Sequence, residues 1–454
     1  GKYDWVVSFD LNSLYPHLIM QYNISPETLL EERHPSATVD KILNEELTFE
    51  LYKDNAVCAN GAMYRKDVRG FLPELMEKIY KDRTVYKKKM LQAKQDYEKT
   101  PTKALEKEIA RCNNIQMARK IQLNSAYGAI GNQYFRYYKL ANAEAITLSG
   151  QVSIRWIENR MNGYLNKLLQ TEGEDYVIAS DTDSIYLNMG PLVNKFFSAK
   201  SGDKTAIVKI LDQICEDKLE PFIEQSYTKL ADYVQAYEQK MIMKRENIAE
   251  RGIWTAKKRY ILNVWNSEGV QYTEPKLKMM GIEAVKSSTP APCRQMIKDG
   301  LKLMMNGTED DVIKFIDNCR VEFKKLPPEE IAFPRSVSDV VKYRSHSNIY
   351  AKGTPIHCRG ALLFNHYIKE HKLTNKYSLI NNGEKIKFIY LKKPNIIQEN
   401  VISFIQDFPK ELGLDKYLDY DLQFEKSFVE PLKAILDAIG WNVEKTVNLE
   451  LFFA

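Results

Sequence analysis

Ala179-Ser180-Asp181-Thr182-Asp183-Ser184-Ile185-Tyr186 is the stretch on which the reading of this chain turns. Tyr176-Val177-Ile178 precede its turn and Ile185-Tyr186-Leu187 follow it. Two β-forming runs joined by a tight polar turn predict a β-hairpin. Side chains alternate along an extended chain, so Asp181 and Asp183 are expected to leave on the same side. Two carboxylates at one tip repel each other unless a cation sits between them. Hard oxygen donors in that position suit Mg²⁺, which is commonly held by one or two carboxylates together with substrate phosphates. A lone Asp-x-Asp is more often a solvated turn, so the weight falls on what surrounds it.

At 454 residues the chain exceeds a single core and predicts several subdomains. Hydrophobic content of 44% and charged content of 28% are those of a globular protein. No apolar run approaches the ~18 residues of a membrane span, so a membrane is not expected as a partner. No signal peptide is visible, and Gly1 in place of Met is expected of a segment of something longer. Cys58, Cys112, Cys215, Cys293, Cys319 and Cys358 lie far apart with no C-x-x-C, which argues against zinc or a disulfide framework and fits a reducing cytoplasm. The net charge is +5, but residues 74–131 hold 13 Lys/Arg against 7 Asp/Glu. A concentrated basic element on a near-neutral body points to a polyanionic partner. Tyr80, Tyr127, Tyr260 and Tyr272, near basic residues, suit nucleic acid and would equally suit an ordinary core.

Working outward, Trp5-Val6-Val7-Ser8-Phe9-Asp10 reads as a buried strand ending in a carboxylate, with a helix from His17 to Tyr22 after Pro16. Asn60-Gly61 signals a hairpin between Ala56-Val57-Cys58 and Met63-Tyr64. Pro73 opens a helical pattern to about Lys99, with Leu75, Ile79, Val85 and Met90 available for an apolar face. Thr100-Pro101 breaks it, and a second helix runs from Lys103 to Tyr127, with Gly128 and Gly131 marking its end and a close backbone approach. These two helices are expected to form an antiparallel hairpin. Residues 143–169 read as a helix with Trp156 on its buried side, and 205–240 as helical. Trp254 to Val264 reads as one strand, followed by a turn at Ser267-Glu268-Gly269. Ser287-Ser288-Thr289-Pro290-Ala291-Pro292 is a boundary signal. Amphipathic helices (293–325), a polar loop-rich stretch (333–360) and a mixed tail follow it.

Asp10 and the Asp181/Asp183 pair are far apart in sequence and meet only if adjacent strands bring them together. Three carboxylates so gathered can hold two metal ions ~4 Å apart for in-line phosphoryl displacement. Arg83 and Lys87 are i and i+4, hence on one helical face, and Lys120, Asn124 and Tyr127 form another stripe. On packed antiparallel helices these faces can converge on a triphosphate. Backbone amides at Ser13-Leu14-Tyr15 are placed to meet phosphate oxygens. Lys257-Lys258-Arg259-Tyr260 puts three cations beside an aromatic in a strand, which suits a duplex backbone.

Taken in order, Asp10-Leu11-Asn12-Ser13-Leu14-Tyr15-Pro16, Lys120-Ile121-Gln122-Leu123-Asn124-Ser125-Ala126-Tyr127-Gly128, Asp181-Thr182-Asp183-Ser184 and Lys257-Lys258-Arg259-Tyr260 resemble the signatures of family B DNA polymerases. Asn23-Ile24-Ser25-Pro26-Glu27-Thr28, Asn263-Val264-Trp265, Lys276-Leu277-Lys278 and Lys286-Ser287-Ser288-Thr289-Pro290 are similar to runs in the replicative polymerases of large tailed bacteriophages. The resemblance implies an α+β, right-hand polymerase with an antiparallel β-sheet palm, helical-hairpin fingers and a mixed, mostly helical thumb. The palm would be 1–69 and 133–289, the fingers 70–132 and the thumb 290–454. It implies template-directed DNA synthesis from dNTPs on primer–template DNA, with two Mg²⁺ ions for which Mn²⁺ can substitute. Asp10, Leu11 and Asp183 would hold metal, Asp181 would support them, and Glu246 would be a further acidic residue nearby. Ser13, Leu14, Tyr15, Arg83, Lys87, Lys120 and Asn124 would bind dNTP, with Tyr15 under the sugar excluding a 2′-hydroxyl. Tyr127, Gly128, Lys257, Lys258, Arg259, Tyr260, Lys286 and Arg359 would meet primer–template, with His357 in the same turn as Arg359. The sequence departs from the family at Ala179-Ser180, where Tyr-Gly is usual, and at His17, where Ser is usual. The family's exonuclease and N-terminal domain are expected ahead of Gly1 or on a separate polypeptide.

The sequence closes on Val447-Asn448-Leu449-Glu450-Leu451-Phe452-Phe453-Ala454. Leu449 precedes Phe452-Phe453 by one helical turn, so these residues and Leu451 suit either a final docked element or an apolar peptide inserted into a groove. The resemblance implies the second, with a sliding clamp as the partner.

Overall fold

The computed structural model describes residues 1–200 and 202–445. The anchors assigned to a clamp, Leu449, Leu451, Phe452 and Phe453, lie outside the described residues. The protein is α+β, and it divides into two compact units with separate hydrophobic cores.

The first unit is Tyr3–Gly252 with Leu262–Lys276. Its strands are β1 (Lys2–Leu11), β2 (Leu29–Arg33), β3 (Asn55–Val57), β4 (Ala62–Arg65), β5 (Val177–Asp181) and β6 (Ser184–Asn188), with the parts of β7 (Met243–Ala256), β8 (Arg259–Ser267) and β9 (Val270–Met280) that fall within those bounds. Its helices are α1 (Leu14–Tyr22), α2 (Val39–Leu43), α3 (Phe71–Lys99), α4 (Lys103–Ile130), α5 (Leu140–Leu169), α6 (Gly190–Phe196), α7 (Lys204–Ile214) and α8 (Glu220–Tyr233). The main sheet has the order β5-β6-β1-β7-β8-β9. β1 is internal to it, and Val6, Val7 and Phe9 are fully buried, as a strand with neighbours on both edges requires. A small sheet, β2-β4-β3, contains the expected hairpin, turned by a left-handed Gly61.

Several local expectations need correction. α1 starts at Leu14, three residues ahead of the expected His17, because Ser13 takes the left-handed conformation (φ 41°) and turns the chain there. Leu75 and Val85 are 45% and 51% exposed. Met90 is buried as expected, and it shares the buried stripe of α3 with Leu72, Met76 and Ala93. Leu75 lies one residue off that stripe, about 100° round the helix. α4 runs on through Gly128 to Ile130, and Gly131 caps it without a left-handed turn. A Cβ at Gly128 would meet nothing within 4 Å, so no close backbone approach occurs there. The expected strand Trp254–Val264 is two strands. Lys257-Lys258 form the reverse turn between β7 and β8, with Lys258 at φ 62°.

α3 and α4 pack along their length. Tyr97 bonds Glu106 at 3.0 Å and Arg83 bonds Gln116 at 3.3 Å, partners that run in opposite order along the two helices. The antiparallel hairpin is therefore present. Thr102 caps α4, its hydroxyl accepting from the Leu105 amide at 3.2 Å.

The second unit comprises Gly1–Lys2, Ile253–Ile261 and the described residues from Leu277 onward. It contains α9 (Ala291–Asn306), α10 (Glu309–Phe323), α11 (Pro328–Ile331), α12 (Ile356–Glu370), α13 (Tyr420–Phe424) and α14 (Glu430–Asp437). A three-stranded antiparallel sheet completes it, β10 (Phe333–Ser336), β11 (Lys385–Tyr390) and β12 (Val401–Phe404). The six cysteines are free and buried. No helix among the described residues is long and apolar enough to cross a membrane.

Candidate active site

β5 and β6 form the expected hairpin, with Asp181 paired to Ser184 and Thr182-Asp183 as its two-residue turn. β1 pairs antiparallel with β6, and Asp10 stands opposite that same Ser184. Asp10 and Asp181 therefore flank one residue across two strand spacings of about 4.8 Å each. The Leu11 amide donates to the Asp183 carbonyl at 2.8 Å, and the Asn12 amide to the Ile242 carbonyl at 3.0 Å. The first bond holds the end of β1 against the hairpin turn, and the second ties it to the residue just ahead of β7.

A cavity of about 340 Å³ opens where these elements meet α1, α3 and α4. Its acidic side is Asp10 and Asp183, with Leu11, Asn12 and Thr182 beside them. Ser13, Leu14 and Tyr15 line it from the head of α1. Arg83 on α3 and Lys120, Asn124 and Tyr127 on α4 line it from the helical hairpin. Ten of the residues singled out by sequence thus share one cavity.

Asp183 is largely buried, and burial raises its pKa above the usual carboxylate range. A hydrogen bond from its own backbone amide opposes this, the charges of Asp181 and Glu246 push the pKa up further, and Lys120 pulls it down. Arg83 donates from Nη1 to the Ser13 hydroxyl at 2.7 Å and from Nε to the Gln116 side chain at 3.3 Å. Tyr15 packs on Tyr127 with ring centroids 4.6 Å apart. Burial, then the neighbouring Tyr127 and Asp183, raise the Tyr15 pKa, so its hydroxyl stays protonated.

Other expected residues lie elsewhere. Asp181 and Glu246 do not line the cavity and act on Asp183 through their charge. Among the described residues no three His, Cys, Asp or Glu side chains converge closely enough to share a metal ion. Of the three carboxylates, Asp10 and Asp183 line the cavity, and Asp181 stands across Ser184 from Asp10. Lys87, one turn beyond Arg83, is ion-paired with Glu268 instead of lining the cavity.

In the second unit, Arg259 is held by Glu283 through two bonds of 2.9 and 2.8 Å and donates to the Gly281 carbonyl at 2.7 Å. Tyr260 is buried and stacks on Trp254. Lys286 joins the Glu283 cluster at 3.1 Å. Arg359 bonds the Asn400 side chain at 2.7 Å and lies over the Tyr350 ring, while burial lowers the pKa of His357.

Sequence reading passed over Asn12, Thr182 and Gln116. Gln116 had a signal, since it extends the Lys120, Asn124, Tyr127 stripe one turn back. Glu268 had none, because its partner Lys87 is remote in sequence.

Residues 2–207 match the model of DNA polymerase family B. The chain is 33% identical to the DNA-directed DNA polymerase of Escherichia phage RB69 and 31% to that of Enterobacteria phage T4, in each case over 99% of this chain and 55% of the relative. It is 24% identical to DNA polymerase 1 of Pyrococcus abyssi over 98% of this chain and 46% of that protein. The chain thus spans about half the length of the curated relatives it matches. With the ordered motifs, the shared cavity and similarity along nearly the whole chain, it belongs to DNA polymerase family B.

Proposed function

We propose that the chain carries out template-directed 5′→3′ DNA synthesis, transferring nucleotides from dNTPs to a primer 3′-hydroxyl. The observation that carries this reading is the cavity itself, where Asp10 and Asp183 face Arg83 and Lys120. Carboxylates on one side suit metal-assisted phosphoryl transfer, and fixed cations on the other suit the phosphates. In this reading residues 1–69 and 133–289 are the palm, 70–132 the fingers and 290–454 the thumb.

Dependence on a divalent metal goes with the family. The donors fit it, since two carboxylates and the Leu11 carbonyl are hard oxygen ligands, and the remaining positions go to phosphates and water. Burial beside Asp181 and Glu246 leaves Asp183 in need of a compensating cation. Mg²⁺, or Mn²⁺ in its place, would lower the pKa of the attacking hydroxyl and neutralise the leaving pyrophosphate. The chain's own groups do the rest. Arg83 and Lys120 hold the phosphates, and the amides of Ser13 and Leu14 orient them. Tyr15, backed by Tyr127, lies under the sugar and leaves no room for a 2′-hydroxyl. Asn124 completes the nucleotide side.

Lys257, Lys258, Lys286 and Arg359 are assigned to primer–template contact and the C-terminal peptide to a sliding clamp, with an exonuclease as a further partner. The setting is the host-cell cytoplasm. Primer extension on DNA and RNA templates, with and without Mg²⁺, tests the reading. Mg²⁺-dependent extension on the DNA template is expected. No extension on either template, or extension on RNA alone, would sink it.

A further inference from the structure

His17 lies behind the cavity wall on α1 and is 2% exposed. Its Nδ1 is 3.0 Å from the Ser13 carbonyl oxygen. A carbonyl only accepts, so Nδ1 carries the proton and the ring is held in one tautomer. The same ring meets Tyr80 edge to face, with centroids 4.3 Å apart. Both contacts lead to Arg83. Ser13, in its left-handed conformation, receives the Arg83 guanidinium on its hydroxyl. Tyr80 sits on α3 one turn before Arg83. The imidazole thus bridges the residue that receives the guanidinium and the helical turn that carries it. A left-handed non-glycine residue is strained and persists where its surroundings hold it.

We propose that His17 is a positioning residue for nucleotide binding. It fixes Ser13 and the Tyr80 turn of α3 so that Arg83 is aimed into the cavity before a triphosphate arrives. The inference rests on the reading of the cavity as the nucleotide site, and it adds a residue that touches no substrate. Its physical content is preorganisation, since a guanidinium already aimed gives up less freedom on binding.

Single-nucleotide incorporation by the full chain, titrated with dNTP on a fixed primer–template, separates the two links. His17→Ser keeps a hydroxyl able to bond the carbonyl four residues back and removes the ring. His17→Phe keeps the ring and removes the bond. Each is expected to raise the KM for dNTP about tenfold, with kcat and primer–template affinity within about twofold. His17→Ala, which loses both links, is expected to raise it about thirtyfold. Because that variant empties a buried site and can cost the fold itself, the Ser and Phe variants carry the decision. In an Arg83→Ala background the same substitutions should add less than about twofold, because the group they aim is gone. Equal increments with and without Arg83, or an unchanged KM in either His17→Ser or His17→Phe, overturn the proposal. If Arg83→Ala alone leaves the dNTP dependence untouched, the nucleotide-site reading falls and this proposal with it. If Arg83→Ala raises KM while the His17 variants do not, the His17 proposal alone falls.

Discussion

The α3–α4 hairpin and the β7–β8 turn carry similar runs of cations, yet their neighbours put them to different uses. Arg83 is braced by Ser13 and Gln116, both uncharged. Such acceptors orient a guanidinium without cancelling its charge. Arg259 is gripped by the Glu283 carboxylate and the Gly281 carbonyl, which fix it and neutralise it. Lys87 repeats the contrast within a single helix, since one turn from Arg83 it is taken by Glu268. A cation in sequence is therefore available to an anionic ligand only where the acceptors around it are neutral.

The largest blow to this contrast is to remove the acidic side of the cavity. Asp10→Ala or Asp183→Ala is expected to slow nucleotide addition about 10³-fold in single-turnover assays. Primer–template affinity, which comes from many phosphate contacts, should stay within about threefold. Addition within tenfold of wild type would move the chemistry elsewhere.

Acid attacks the contrast from beneath the cavity. Burial, reinforced by Lys240 and Arg83 and opposed by the Ser13 carbonyl and Glu77, lowers the His17 pKa to about 4. The unfolded chain takes up this proton near pH 6.5 and the folded chain resists it, so stability is whole above pH 6.5 and declines toward pH 4. The full loss is about 3 kcal/mol. Thermal melts from pH 7 to pH 4.5 should show a steeper decline for wild type than for His17→Phe. Parallel curves would remove His17 as the cause.

Next in size is the direct comparison of the two arginines. Arg83→Ala should reduce dNTP incorporation about thirtyfold, an effect of the size expected for one lost phosphate contact. Arg259→Ala should leave incorporation within about threefold but cost about 1–2 kcal/mol of stability, because the half-buried Glu283 loses both guanidinium bonds and keeps only Lys286. Exchanged outcomes, with Arg259 governing incorporation and Arg83 only melting, would dissolve the contrast. The smallest effect is assigned to the turn lysines. Lys257→Ala and Lys258→Ala should each flatten the salt dependence of primer–template binding by about 0.9 in log–log slope and leave the dNTP titration unchanged. An unaltered slope would take them off the duplex.

The contrast also marks where sequence stopped being informative. The hairpin around Asp183, the strand ending at Asp10 and the two helices bearing Arg83 and Lys120 were legible, because each rests on local periodicity and turn chemistry. The grouping of ten residues at one cavity followed from motifs in order, not from any local rule. What escaped was set by distant partners. Glu268 captures Lys87 from across the fold, and Glu283 captures Arg259. Lys257-Lys258 lacks the Gly or Asn that announces a reverse turn, so β7 and β8 read as one strand. Leu75 and Val85 were as apolar as Met76 and Ala93, and only packing chose between them.

The pairing of Asp10 with Ser184 across β1 and β6 has a consequence for how this protein can change. In a strand every side chain's face is set by counting residues, so losing or gaining one residue between Val6 and Asp10 sends the carboxylate to the opposite face of the sheet. The hairpin tip at Thr100–Thr102 sits under no such count. Lineages of this chain are thus free to drift in length at that tip, while along β1 they can exchange side chains but not alter their number.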